Sequence, residues 1–328
     1  MEAITTEGLT KRFGELAAVD DVSIRIEEGE LFGLLGPNGA GKTTFLNMLC
    51  TMLRPTAGKA RVWGHDVARE PDAVRRAIGV VFQDPSLDIQ LTGRENLDFH
   101  GRLYGLGAEK RRERIDAVLE LVELEDRADD LVKTYSGGMR RRLELARGLM
   151  HFPKILFLDE PTLGLDPQTR RRIWEYILKL NREEGITMIL TTHYMEEADS
   201  LCHRVAIIDK GRIIALDAPR KLKEKVGEDV ITVMASEPER FVGLLKAESW
   251  AEEVHLADGV ISLGVRGGEG LIPRVIDLAR RSGIEVCSVG LHKPTLEDVF
   301  IGYTGKGIRE EKGNARDRIR SIMRAKLR

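Results

Sequence analysis

One octapeptide constrains this 328-residue chain more than anything else in it: Gly36-Pro37-Asn38-Gly39-Ala40-Gly41-Lys42-Thr43, a G-x-x-x-x-G-K-[ST] run. It follows the apolar stretch Leu31–Leu35, which reads as a buried strand, and it opens the helical pattern Lys42–Met52. That strand–loop–helix setting is the one in which such a run has physical meaning. The glycines let the backbone curl so that successive N–H groups, continuing to Thr44, face a polyphosphate. The helix N-terminus adds the positive end of its dipole. Lys42 can reach the outer phosphates of a nucleoside triphosphate, and the Thr43 hydroxyl can ligate Mg²⁺.

A loop of this kind needs a sheet behind it. Ile78–Phe82, Ile155–Leu158, Thr187–Leu190 and Val205–Ile208 are further apolar runs of strand length. Continuous apolar runs suit a mainly parallel sheet covered on both faces. Helical stretches such as Ala108–Leu124 and Gln168–Glu183 lie between them, so the expected fold class is α/β, a P-loop NTPase core. The run Ile155–Leu158 ends in Asp159-Glu160. In open α/β sheets ligands bind at that end of the strands. Asp159 is therefore expected to hold Mg²⁺, and Glu160 to orient or deprotonate an attacking water.

Tyr135-Ser136-Gly137-Gly138-Met139 stands at the start of another helical pattern, Arg140–Met150. Here the sequence resembles the ABC (ATP-binding cassette) ATPases, whose signature is a Ser-Gly-Gly opening a helix. The usual signature begins with Leu and ends with Gln, and Tyr135 and Met139 depart from it. The resemblance implies ATP and Mg²⁺ as ligands. It also implies a head-to-tail homodimer in which Ser136, Gly137 and Gly138 of one copy close over the γ-phosphate held by the other. Gln83 resembles the family's glutamine, which senses Mg²⁺ and contacts a permease. Asp166, in Gly164-Leu165-Asp166-Pro167, resembles its dimer-seam aspartate. His193 resembles its switch histidine at the γ-phosphate, and Phe13 the aromatic set against adenine. The resemblance covers roughly residues 3–220.

The core is expected to end near residue 222, with a helical subdomain at about 91–150. Residues 228–304 then change pattern. Val230–Met234, Val254–Leu256, Val260–Val265 and Ile284–Val289 read as strands, with helices at Pro238–Leu245 and Leu271–Arg281. That βαββαβ order predicts a small ferredoxin-like α+β accessory domain, followed by a helix over Thr295–Tyr303. Leu91-Thr92-Gly93-Arg94-Glu95-Asn96-Leu97 and Pro294-Thr295-Leu296-Glu297-Asp298-Val299-Phe300 resemble the daunorubicin-resistance branch of ABC-2 exporters. That branch implies an exporter motor paired with a separate membrane permease chain. Residues 305–328 form a basic tail, with nine Lys/Arg against three acids from Lys306 onward.

Composition removes other classes. A net charge of −2 and 5% aromatics argue against nucleic acid as a partner. The three scattered cysteines, Cys50, Cys202 and Cys287, argue for a reducing compartment and against a disulfide framework or zinc site. No apolar run approaches the ~20 residues that span a bilayer, and the first residues lack the apolar block of a signal peptide. A membrane role then places the chain at the cytoplasmic face, docked through another protein. The soluble ABC ATPases of DNA or ribosome work would carry heptad arms, zinc cysteines or two cassettes, and a P-loop kinase or GTPase leaves Ser136-Gly137-Gly138 and His193 unexplained.

Overall fold

The computed structural model describes residues 1–304 except Pro85, residues 226–228, Glu252 and Asp258. The basic tail lies outside the described residues. The chain divides into two compact units, Met1–Pro219 and Arg220–Arg328.

The first unit is built on a six-stranded sheet. Its strand order is Arg212–Asp217, Arg204–Asp209, Leu31–Leu35, Thr187–Thr192, Ile155–Asp159 and Ile78–Val81. All neighbours are parallel except the first pair, which is antiparallel. Leu31–Leu35, Ile155–Asp159 and Thr187–Thr192 are buried throughout, as strands covered on both faces must be. The register sets Leu35 opposite Thr192 and Asp159 opposite Thr191. Three adjacent C-terminal strand ends thereby deliver the loop after Leu35, the acids at 159–160 and the segment after Thr192 to one edge.

A second, antiparallel sheet is not foreshadowed by the apolar runs. Leu16–Val22, Glu2–Phe13, Ala57–Val62 and His65–Asp66 lie side by side, with Arg25–Glu27 also paired to Glu2–Phe13. Glu2–Phe13 alternates buried and exposed positions imperfectly and carries irregular register on both sides. Ile4, Leu9, Val19 and Ile26 from this sheet share one core cluster with Phe32, Leu34, Phe45, Phe157 and Ile189. Burying each of these large side chains contributes roughly 1.5–3 kcal/mol.

The helical subdomain comprises Gly93–Leu103, Ala108–Leu121 and Gly137–Leu149, with two short 3₁₀ turns between the last pair. Thr92 and Glu95 form a reciprocal capping box at the first helix. Two helices end earlier than their apolar pattern suggests. The one expected over Lys42–Met52 stops at Leu49, and Thr51 adopts φ 64°. The one expected over Ala108–Leu124 stops at Leu121, with Glu123 at φ 53°.

The second unit carries a four-stranded sheet in the order Glu253–Ala257, Val260–Val265, Asp229–Ala235, Val286–His292. Every neighbouring pair is antiparallel. With helices Pro238–Leu245 and Gly268–Arg281 this is the split βαβ arrangement. Its core is apolar: Ile231, Val233, Phe241, Leu245, Ile261, Leu263, Val265 and Val275. The last strand starts two residues later than Ile284–Val289 and ends three later, at His292, and Ile284 is buried in the core ahead of it.

Candidate functional site

The loop after Leu35 is shaped by positions that admit no side chain. A Cβ on Gly36 would come within 2.3 Å of the Ile208 carbonyl oxygen, and one on Gly41 within 2.2 Å of the Ala18 carbonyl oxygen. Gly41 also holds φ 106°, which L side chains rarely adopt. Gly36 N–H donates to the Thr192 carbonyl at 3.2 Å, fixing the loop to the neighbouring strand. The helix that follows, Lys42–Leu49, starts with no side-chain cap. Its leading N–H groups are therefore left for a ligand. Ala40 is buried, and its N–H closes a turn onto the Pro37 carbonyl at 3.2 Å.

A cleft of about 370 Å³ opens over this loop, lined by Asn38, Gly39, Gly41, Lys42, Thr43 and Thr44 together with Ala18, Gln83, Glu160, Leu163 and His193. The Lys42 ammonium is buried. It donates to the carbonyls of Gly36 at 2.9 Å and Pro37 at 3.2 Å, and lies 3.2 Å from Glu160 Oε1. The other carboxylate oxygen of Glu160 is 3.2 Å from His193 Nδ1. That contact lacks hydrogen-bond geometry, so Nδ1 is left buried without a hydrogen-bond partner. Glu160 itself sits at φ 45°, a conformation that costs on the order of 1 kcal/mol. It is held there by its N–H, which donates to the carbonyl and hydroxyl of Thr191 at 3.1 and 3.0 Å.

Asp159 lies just below. Its Oδ1 accepts from the Thr43 hydroxyl at 3.3 Å and from the Thr191 hydroxyl. Thr191 thus anchors both acids, and no motif pointed to it. Its signal is visible only in register, since Thr191 stands opposite Asp159. A buried ammonium, uncapped N–H groups, a hydroxyl next to a carboxylate and an imidazole nitrogen without a partner together fit a magnesium-bound polyphosphate.

The structure does not bring every expected residue to this cleft. Phe13 ends the first strand, 49% exposed, with Lys11 Nζ 5.2 Å from its ring centre, and it does not line the cleft. Ser136 caps the helix Gly137–Leu149, accepting from Met139 N–H at 3.2 Å. Asp166 caps Pro167–Glu184, accepting from the N–H groups of Gln168 and Thr169 at 3.1 and 3.0 Å. Those helix N-termini are neighbours: a Cβ on Gly138 would meet Thr169 Cγ2 at 2.5 Å, and one on Gly137 would lie 3.6 Å from Leu165. Ser136, Gly137, Gly138 and Asp166 therefore form a second cluster, apart from the residues lining the cleft.

A polyphosphate loop, two acids at a strand end and a sheet of this order define a P-loop ATPase. Comparison with known proteins narrows the class. A family model described as "ABC transporter" matches residues 19–163, and one described as "ATP-binding protein DrrA1-3-like, C-terminal domain" matches 218–304. The daunorubicin resistance ATP-binding protein DrrA3 of Streptomyces coeruleorubidus is 43% identical over 306 residues, covering 92% of this chain and 96% of the relative. The Nod factor export ATP-binding protein I of Paraburkholderia xenovorans is 42% identical, covering 94% and 99%. Among solved structures, the dimeric post-hydrolysis state of the ATP-binding cassette MJ0796 bound to ADP and Pi aligns with a TM-score of 0.58 and 31% identity, covering 66% of this chain and 98% of that one. The chain belongs to the ATP-binding subunits of ABC transporters, and it is an ATPase.

Proposed function

We propose that this chain energises export through a separate permease chain at the cytoplasmic face of the cell membrane. Two copies close head to tail over two ATP molecules. No helix among the described residues is long and apolar enough to cross a membrane, which fits a motor that relies on a second chain for passage. The cargo is a drug or another lipophilic compound, in keeping with the resistance and Nod factor export relatives.

The observation that carries the sandwich is the division of the site into two clusters. Lys42, Glu160 and His193 line one cleft, whereas Ser136 and Asp166 cap helices outside its lining. A second copy brings its Ser136, Gly137 and Gly138 to the first copy's cleft, where a helix N-terminus can meet the γ-phosphate. Asp166 then stands at the seam. In each cleft the backbone from Gly36 to Thr44 wraps the phosphates, and Lys42 leaves its loop carbonyls for the β- and γ-phosphate oxygens. Phe13 stacks on adenine. Thr43, Asp159 and Gln83 would hold Mg²⁺, which when bound would offset phosphate charge. Glu160 takes the proton of the attacking water, with His193 beside it against the γ-phosphate.

The test is assembly. In the Glu160→Gln chain, Mg²⁺ and ATP should drive the monomer to a dimer by light scattering, with reversal on nucleotide removal. A membrane chain should co-purify from native membranes. A protein that stays monomeric at saturating ATP, with its membrane partner and without it, contradicts the sandwich.

A further inference from the structure

Arg141 is buried in the first unit, 8% exposed, on the helix that Ser136 caps, and no sequence motif assigned it a task. Its guanidinium reaches two segments outside its own helix, at Phe82 and at Asp159–Pro161. Nε donates to the Pro161 carbonyl at 2.6 Å, one terminal nitrogen to the Asp159 carbonyl at 3.2 Å, and the other to the Phe82 carbonyl at 2.7 Å. That last nitrogen also meets Glu144 Oε2 at 2.7 Å. Glu144, 3% exposed, uses its other oxygen to accept from Ser86 N–H at 2.9 Å. Phe82 and Ser86 bracket Gln83. Asp159 and Pro161 bracket Glu160.

We propose that Arg141 and Glu144 are positioning residues for ATP hydrolysis: the pair fixes the Gln83 segment and the helix headed by Ser136 against the strand end that presents Asp159 and Glu160. Neither side chain lines the cleft, so the pair acts through the backbone it holds. Two segments, 59 and 18 residues from Arg141 in sequence, and a carboxylate on its own helix share one planar fork of donors, which a lysine ammonium cannot reproduce. A buried ion pair is weak support for stability, since apolar replacements of similar volume are often neutral or better. Its retention between three parts of the site is accounted for by geometry. A displacement of about 1 Å at reacting groups can cost 10²-fold in rate. The inference rests on the proposed roles of Gln83, Asp159 and Glu160.

The experiment uses the full chain in three forms: Arg141→Lys, Arg141→Met, and the double variant Arg141→Met/Glu144→Leu. The double variant removes both charges, so no unpaired ion stays buried. Thermal midpoint, ATP dissociation constant and kcat are read for each. The double variant is expected to melt within a few degrees of wild type and bind ATP within about twofold, with kcat lowered about 30- to 100-fold. Arg141→Lys should fold and bind ATP while losing about tenfold in kcat, because three donors on one point cannot serve four acceptors. If the double variant recovers its melting temperature and its kcat together, the pair is structural and the proposal falls. If the double variant fails to fold, Arg141→Lys decides alone, and a kcat within threefold of wild type overturns the proposal. Either outcome leaves the assignment of Glu160 intact, which its own substitution tests.

Discussion

The two units of this chain bury different things. In the second unit, the core cluster is wholly apolar, from Ile231 to Ile284. In the first, Glu30, Lys42, Arg141, Glu144, Asp159, Glu160 and Glu197 are all buried, and among the described residues no buried charged group lies beyond Glu197. Burying a charge is costly unless it is paired and hydrogen-bonded. Glu30, at the start of the Leu31–Leu35 strand, is paired with Arg204; a fold that needed only stability would not gather the other six around the opposite end of the sheet. Glu197 illustrates the cost. Burial pushes its carboxyl above the usual range, although the Thr192 hydroxyl favours the charged form and Thr162 and Trp174 donate to Oε1 at 2.7 and 2.9 Å. The first unit spends stability on an arranged site, and the second is packed as an apolar domain packs.

The sharpest way to break that contrast is a core truncation in the second unit. Phe241 is fully buried there. Phe241→Ala should cost about 3–5 kcal/mol of that unit's stability, seen as a lowered unfolding transition in calorimetry. ATP affinity should stay within about twofold. A matching loss of ATP affinity would mean that the site depends on the second unit's packing.

A smaller effect sharpens the contrast through pH. His100 meets Tyr104 tilted and His151 edge-on in the helical subdomain, ring centres 5.0 and 6.4 Å away. Burial, with Arg147 and His151 adding positive charge, pushes its pKa down to about 4. The folded form therefore binds fewer protons than the unfolded form between about pH 6.5 and 4, so stability contributed by the neutral ring is lost as pH falls through that window. Because the ring is part-exposed, the contribution is on the order of 1–2 kcal/mol. His100→Gln should flatten the fall in stability of the first unit below pH 6.5, measured by denaturant unfolding. An unchanged pH profile would move the sensitivity elsewhere.

What the sequence revealed divides along the same physical line. Leu31–Leu35 is found at its expected bounds, and Ile155–Leu158 and Thr187–Leu190 are each extended by one or two residues. Strands buried on both faces announce themselves as unbroken apolar runs. The glycine loop was legible because its chemistry is contiguous in the chain. The antiparallel sheet of the first unit was not, since Glu2–Phe13 faces solvent on one side and its alternation is interrupted by register shifts. Helix ends at Leu49 and Leu121 were overshot because Met52 and Leu124 continue the apolar pattern past turns made by Thr51 and Glu123 at positive φ. Thr191, Arg141 and Glu144 were invisible because each acts on residues far along the chain, 18 to 59 positions away. No local pattern records such a partnership.

If Glu160 is the base of hydrolysis, the buried charges of the first unit are arranged around the acid that follows the Ile155–Asp159 strand. Single-turnover hydrolysis by purified Glu160→Gln, with ATP binding measured in the same preparation, tests it most directly. The ATP dissociation constant should stay within about threefold of wild type and the hydrolysis rate should fall by ~10²–10⁴. Near-normal hydrolysis in a variant that binds ATP normally would contradict it.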